Sequence, residues 1–384
     1  MAKALKIGLV LDTSLDPPDG VQQYVVSIGE WLRGQGHGVH YLVGETKHRD
    51  LPNVHSLSRN ITVQFNGNRT TIPLFASRKK IRQVLSANQF DVLHVQTPHH
   101  PFMAQPLILA AGKSTAIVGT FHIAAYDWLV SLGNRLLGIW LRPSLKRFYK
   151  IVAVSDAAAD FARRTFHIDT PVIPNAFDYA RFHNAKPFTR YHDKTVTILF
   201  LNRLVPRKGC RVLLEAAALL ASDPSVPPFR VVVCGKGPEA PKLHRFIKQN
   251  GLGDIVEMVG FVSEEDKPRY YASADVAVFP SSAGESFGIV LLEAMASGRT
   301  AVLAGNNPGY RSVMSPRPEL LFEPRDSNAL AKLLENYIRT PGLRQMAAKW
   351  GRQYTKSFDV GVVGRQLEQL YLEARRALRA QQKT

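Results

Sequence analysis

Cysteine is almost missing from this chain of 384 residues: Cys210 and Cys234 are the only two. That excludes a disulfide framework and a cysteine-rich zinc module, and it fits a reducing compartment. Long apolar runs are missing too, and nothing approaches the roughly 18 residues of a membrane span. The apolar opening ends at Asp12, so it reads as a first buried strand rather than a signal peptide. No Asp-x-Asp pair exists to hold a divalent cation on a diphosphate. His94, His99, His100 and His122 have no accompanying carboxylate cluster, and adjacent histidines do not share a helical face, so no metal is expected. Acids are scarce in one region: residues 51–150 hold twelve Lys and Arg against Asp91 and Asp127. That stretch supplies +10 of a net charge of 49 − 31 = +18, which favours anionic partners: nucleic acid, acidic lipid or phosphorylated substrate.

What is present is the composition of a folded enzyme of two or three domains, 45% hydrophobic, too apolar for disorder. Strand-like runs alternate with amphipathic stretches, the pattern of parallel α/β sheets. Residues 6–11, 39–43, 92–95, 116–120 and 151–154 read as strands. Residues 20–33 read as a helix whose Val21, Tyr24, Val25, Ile28 and Leu32 share one face. Residues 178–194, polar and aromatic without a period, read as a linker. A second series follows, with strands at 196–201, 230–234, 256–259, 276–279 and 301–304 and helices at 209–220 and 288–297. Residues 360–380 are helical by period. The expectation is two Rossmann-like α/β domains, 1–187 and 188–357, facing across a crevice, with a C-terminal helix, 358–384, packing back on the first. Ligands of such sheets bind beyond the carboxyl ends of the strands.

The most specific constellation follows strand 276–279. Glu285 precedes a helix and Glu293 lies within it, about two turns in, with Gly284 and Gly288 on either side of Glu285. Backbone N–H groups of Phe287, Gly288 and Ile289 read as first-turn donors for an anionic or hydroxyl-rich ligand. Either glutamate alone is an ordinary helix acid; together, after a strand, they mark a site. Arg203 and Lys208 follow strand 196–201, a guanidinium fork and a compact charge suited to clamping a diphosphate. Gly235 and Gly237 would permit close backbone approach to a ligand, although the longer dinucleotide fingerprint is missing. Ser263-Glu-Glu-Asp266 reads as a capping box, and the loop before it, with Val262, is a candidate surface for stacking a base. In the first half Gly20 stands where backbone could approach a phosphate. His122 ends strand 116–120 at the sheet's carboxyl edge, where a satisfied polar residue is the ordinary alternative.

Taken together these residues resemble a family 4 glycosyltransferase of the GT-B fold, over nearly the whole chain. The likeness rests on Glu285-x7-Glu293, Arg203-x4-Lys208, Gly235-Lys-Gly-Pro238 and Ile173-Pro-Asn175. Within the family the chain is most similar to phosphatidylinositol mannosyltransferases, through Gly20-Val-Gln22, Phe65-Asn66-Gly67, Thr120-Phe-His122 and Arg78-Lys79-Lys80-Ile-Arg82. The resemblance implies retaining, metal-independent transfer of a hexose from a nucleotide sugar, mannose from GDP-mannose. It makes the first domain acceptor-binding and the second donor-binding. Arg203 and Lys208 would hold the departing diphosphate, Glu293 the ribose, and Glu285 with the backbone of Gly288, Ile289 and Val290 the sugar, while Ser286 and Phe287 would also line the donor. His122 would contact the sugar, Gly20 would lie near the diphosphate, and Gln22, Asn66 and His99 would face a polyol or phospholipid acceptor. Departures occur at Asp19-Gly20, where a glycine pair is usual, at Pro98-His99, where Pro-Asn is usual, and at Asn175-Ala-Phe177, where Asn-Gly-Val is usual.

Residues 74–85 set Leu74, Phe75, Ile81 and Leu85 beside Arg78, Lys79, Lys80 and Arg82, as in an interfacial amphipathic helix. Each cation near an anionic leaflet is worth about 1 kcal/mol. The expectation is a cytoplasmic protein peripheral to the inner face of the plasma membrane. Two alternatives stay open. One is a cytosolic member acting on a soluble polyol or sugar phosphate. The other is a nucleic-acid binder, suggested by the charge but lacking a recognisable binding module.

Overall fold

A computed structural model of the chain describes residues 4–16, 19–47, 50–65, 68–74, 76–123 and 128–382, with side chains left out at 62–72 and 128–136. The β-branched and leucine-rich runs form parallel strands, and those inside each sheet are buried on both faces, as they must be when helices cover both sides, while the edge strands at 54–56 and 256–260 are partly exposed. In the first half these are β1 (Lys6–Leu11), β2 (Gly38–Val43), β3 (Val54–Ser56), β6 (Val92–Gln96), β7 (Ala116–Phe121) and β8 (Lys150–Ala153). Between β3 and β6 lies an antiparallel pair, β4 (Arg59–Phe65) and β5 (Asn68–Leu74). The second half supplies β9 (Val196–Leu201), β10 (Phe229–Cys234), β11 (Val256–Gly260), β12 (Val276–Phe279), β13 (Ala301–Gly305) and β14 (Leu321–Phe322).

The sheet orders are β3-β2-β1-β6-β7-β8 and β11-β10-β9-β12-β13-β14. Counted within each six-stranded sheet, both read 3-2-1-4-5-6, the doubly wound order of a Rossmann fold. The direction of winding reverses between β1 and β6 in one sheet and between β9 and β12 in the other. At such a reversal neighbouring loops diverge and leave a cradle at the strands' carboxyl ends.

The chain divides into two compact units, Met1–Phe177 with Val360–Thr384, and Asp178–Asp359. The first boundary falls at Phe177 rather than at residue 187, because the expected linker is not one. It forms the helix Tyr179–His183 and a 3-10 turn, Thr189–Tyr191. Phe182 and Tyr191 are buried, and Phe188 packs on Tyr270 with ring centroids 4.8 Å apart. Its aromatics belong to the second unit's packing, so they follow no helical or strand period.

The C-terminal helix, Val360–Gln381, completes the first unit's core. Its Val363, Leu367, Leu370, Tyr371 and Ala374 are buried with Leu9, Tyr24, Ile28 and Val118. The Tyr371 hydroxyl lies 2.7 Å from His94 Nδ1, and His94 Nε2 lies 2.7 Å from Thr120 Oγ1, so a buried polar chain ties helix to sheet. Arg375 and Asp91 add an ion pair at 2.5 Å.

The opposite face of that sheet is covered by the helices Arg78–Asn88 and Ala104–Ala110, and here the amphipathic reading is corrected. Leu74 ends β5, Phe75 lies outside the described residues, and the helix starts after Ser77, whose Oγ accepts from Lys80 N at 3.3 Å. Ile81 is 1% exposed, and Val84 and Leu85 pack on the same core. The apolar side of this helix therefore faces the sheet, and what it presents outward is Arg78, Lys79, Lys80 and Arg82.

Candidate active site

In the second unit the winding reversal sets the end of β9 beside the end of β12. After β9 the chain runs through Arg203, which is exposed, into the 3-10 turn Pro206–Lys208. Gly209 then adopts φ +72°, and a Cβ there would lie 2.2 Å from Pro280 O, so only glycine fits. That turn aims Lys208 inward, to 6% exposure. Its Nζ sits 2.5 Å from Glu285 Oε1, and Arg207 Nη1 stands 3.5 Å from the same oxygen. Arg207 also donates to Gly284 O at 3.3 Å. Burial pushes the Lys208 ammonium below its ordinary value; Glu285 opposes that, while Arg207 and Arg203 add to it. Arg203, Arg207, Lys208 and Glu285 thus share one electrostatic cluster. The spacing reading passed over Arg207, hidden inside Arg203-x4-Lys208, although a third cation on the same turn was the available signal.

Glu293 has a different partner. The helix after β12 is Ile289–Ala296, one residue shorter at its start than expected, with Gly288 at φ +107° ahead of it. Glu293 is therefore its fifth residue, one turn in rather than two. The first turn begins at Ile289 and Val290, and Leu291 N already donates to Gly288 O at 2.9 Å. Phe287, expected among the first-turn donors, precedes the helix and buries its ring 5.9 Å from that of Phe358. Ser286 lies between Glu285 and that ring. The Glu293 carboxylate, 2% exposed, places Oε1 2.9 Å from Lys267 Nζ, while Oε2 is buried with no hydrogen-bond partner. Burial raises the Glu293 carboxyl, and Lys267 acts against that. Lys267 also pairs with Glu264 at 2.9 Å. It went unnoticed in the sequence because it lies just past the capping box, where a lysine reads as surface. The box itself forms, with Asp266 N donating to Ser263 Oγ at 3.0 Å. In the loop before it Val262 is half-buried, and Phe261 is exposed with Lys236 Nζ 5.0 Å from its ring centroid.

The glycines after β10 have a packing reason within the fold. A Cβ on Gly235 would lie 1.9 Å from Asn202 O, and one on Gly237 2.1 Å from Leu204 O. Their close backbone neighbour is the loop after β9, joined by Leu204 N donating to Lys236 O at 2.9 Å. They set the path of the loop that carries Arg203.

In the first unit, His122 is buried just past β7; its Nε2 donates to Gln96 Oε1 at 2.6 Å and its ring meets Tyr24 edge-on. Burial pushes it down to about 3, with Asn175 acting weakly the other way, so the ring is neutral at physiological pH. Gly20 is the first residue of the helix Gly20–Gly34, and Gln22, mostly buried, donates from Nε2 to Ser14 O at 3.3 Å. Asn66 lies outside the described residues. His99 is enclosed: 5% exposed, stacked on Phe121 at 5.3 Å and flanked by Phe161 and Phe166. An acceptor-facing side chain was expected there, and the aromatic cluster takes it instead. Asp12, just past β1, marks the end of the apolar run in the sequence but gives no sign there of its burial. Its Oδ1 accepts from Ala104 N at 3.3 Å, its Oδ2 is buried without a hydrogen-bond partner, and His100 Nδ1 is 4.0 Å away. Burial raises its carboxyl to about 7 despite backbone N–H donors.

Two doubly wound units, with a cationic cluster at one winding reversal, have the architecture of GT-B glycosyltransferases, and the comparison with known proteins assigns that class. Residues 18–181 match the family described as Glycosyltransferase Family 4, and residues 183–354 match Glycosyl transferases group 1. A phosphatidyl-myo-inositol mannosyltransferase of Mycolicibacterium smegmatis is 32% identical over 372 residues, 96% of this chain and 93% of that protein. Among solved structures, Anabaena HepE in complex with UDP superposes with a TM-score of 0.74 at 20% identity, covering 96% of this chain and 100% of that one. Sucrose-phosphate synthase from Thermosynechococcus elongatus gives 0.72 at 21%, covering 97% and 100%. The chain belongs to glycosyltransferase family 4.

Proposed function

We propose that this glycosyltransferase moves mannose from GDP-mannose, with retention and without a metal ion, to a phosphoinositide or other polyol-headed lipid at a membrane surface. The observation that carries the reading is the buried Lys208 ammonium on Glu285, with Arg207 and Arg203 beside it, at the winding reversal of the second unit. The main electrostatic task in sugar transfer from a nucleotide sugar is the charge that gathers on the leaving diphosphate. Fixed cations in a site shielded from water do this with little reorganisation. Lys208 and Arg203 take the diphosphate oxygens, and Glu285 accepts from sugar hydroxyls. The unpartnered Glu293 Oε2 accepts from a ribose hydroxyl, which supports its assigned role. A neutral His122 contacts the sugar by hydrogen bond without adding charge. In the second unit the backbone at 288–290 completes the donor's surroundings and Val262 and Phe261 flank the base; in the first unit Gln22 faces the acceptor.

The identity with proteins named phosphatidyl-myo-inositol mannosyltransferases supports the sugar and the lipid acceptor. The exposed cations at 78–82 support the membrane surface, and among the described residues no helix is long and apolar enough to cross a membrane. His99, enclosed among aromatics, offers the acceptor no polar group, and a soluble polyol acceptor is the second reading to be tested. One experiment decides: purified protein is given GDP-mannose or UDP-hexoses, with phosphatidylinositol vesicles or with soluble inositol, and products are separated by mass spectrometry. Mannosylated lipid made from GDP-mannose is expected. Product only with soluble inositol selects the second reading, and turnover of UDP-sugars alone ends the mannose assignment.

A further inference from the structure

The helix Arg78–Asn88 buries its apolar side against the sheet and offers a membrane only charge. Charge alone gives weak, salt-labile attachment. The apolar component is found on the neighbouring helices of the same face. Helix Ala104–Ala110 packs between Arg78–Asn88 and Trp128–Leu145. Phe148, just after the third helix, joins the core under the first two. The outer side of this row is unusual. Leu109 is 57% exposed, Ile139 59% and Trp140 62%. Their placement is not loose surface: Leu141 and Ser144 are buried, and Gly138 packs against Phe166, so the third helix is held with residues 139, 140, 142 and 143 outward.

Charge says what covers this apolar group. None of the residues of these three helices is Asp or Glu. Exposed Lys113 follows the second helix, exposed Arg142, Lys146 and Lys150 lie on or just after the third, and Arg78, Lys79, Lys80 and Arg82 lie on the first; the acids nearest in the packing, Asp156 and Asp160, belong to the following helix, Asp156–Phe166, which packs on the third. A protein partner would be expected to meet an apolar centre with a rim of mixed polarity. A tryptophan and two aliphatics on helices that carry cations and no acid of their own match the headgroup layer of an anionic bilayer, where indole rings settle and lysines reach phosphates.

We propose that Leu109, Ile139 and Trp140 form a wedge that inserts among the acyl chains of an anionic leaflet, while the cations on and beside these helices hold its headgroups. This rests on the membrane-surface reading above and adds the part that salt does not screen. The division of labour is specific: cations set low-salt recruitment, and the wedge sets what remains when salt is raised.

The test is co-sedimentation of the full chain with phosphatidylcholine vesicles containing or lacking phosphatidylglycerol, at low and raised salt. Ile139→Ser with Trp140→Ser changes only exposed positions and should leave the thermal midpoint in place. This double variant should still bind acidic vesicles at low salt but lose binding at raised salt by about tenfold or more. A set of Arg78→Ser, Lys79→Ser, Lys80→Ser and Arg82→Ser should lose the low-salt component instead. Brominated acyl chains should quench wild-type fluorescence, and Trp140→Phe should remove that quenching. Equal partitioning of wild type and the double variant at raised salt, with no quenching, overturns the wedge while the membrane reading stands. Absence of binding to acidic vesicles at any salt, or retention on RNA in its place, overturns both.

Discussion

Lys208 and Glu285, 77 residues apart in sequence, meet at 2.5 Å because a left-handed Gly209 turns one strand-end loop toward the other. The pair is a cation already stripped of water and held in place before any ligand arrives. Lys208→Ala should therefore lower kcat by about 10²–10³-fold, the scale of removing a fixed transition-state donor. The check is steady-state kinetics beside circular dichroism; near-normal turnover with an intact fold would remove the role assigned to Lys208.

Gly235 and Gly251 both have positive φ but differ in surroundings. At Gly235 (φ +151°) a Cβ would strike Asn202 O; at Gly251 (φ +63°) it would meet nothing within 4 Å. Gly235→Ala should cost about 3 kcal/mol and Gly251→Ala about 1 kcal/mol in urea unfolding. Equal losses would show that the loop after β9 does not need this close approach.

Asp12 gives stability a measurable pH slope. Its carboxyl is raised to about 7 by burial, against a model-peptide value near 4. Between those values the folded chain holds a proton that the unfolded chain has released, so this group's contribution falls as pH rises from about 4 to 7. The full span is about 4 kcal/mol. His94 and His122, both pushed down to about 3 by burial, contribute stability that rises with pH in wild type and variant alike. Subtracting wild-type stability from that of Asp12→Asn at each pH isolates the carboxyl. The variant should gain relative stability toward neutral pH, and a flat difference would mean that Asp12 is solvated.

Tyr371→Phe should destabilise the first unit by about 1–3 kcal/mol, because the fully buried His94 Nδ1 loses its partner. Leu367→Ala in the same helix should cost about 2–5 kcal/mol. Hydrogen exchange can localise both effects to the first unit's strands; if instead only the helix exchanges faster, it is an appendage and not part of that core.

Strands were legible because a parallel sheet needs uninterrupted apolar runs, and β9, with Val196 to Leu201, could be nothing else. The antiparallel β4 and β5 were missed although Asn66-Gly67 between two β-rich runs is a hairpin signal. The polar residues of both runs masked it. Arg203, Lys208, Glu285 and Glu293 were legible through spacing after strands. Lys267 and Asp12 were not, because a buried ion pair and a buried lone carboxyl look in sequence like ordinary surface charges. The helix at 78–88 shows the converse failure. Its period was read correctly as amphipathic, but periodicity cannot tell which of two apolar media, core or bilayer, the apolar side faces.

The backbone crosses out of the first unit at Phe177 and re-enters at Val360, and Val360 N donates to Phe177 O at 2.9 Å. The second unit is thus an insert whose two stems are clasped together. A single protease nick within it would leave both fragments tethered to the first unit. Cutting the gene at both stems and rejoining them with a short turn should release each half as a self-contained polypeptide, the first keeping the helix that its own amino-terminal strands require.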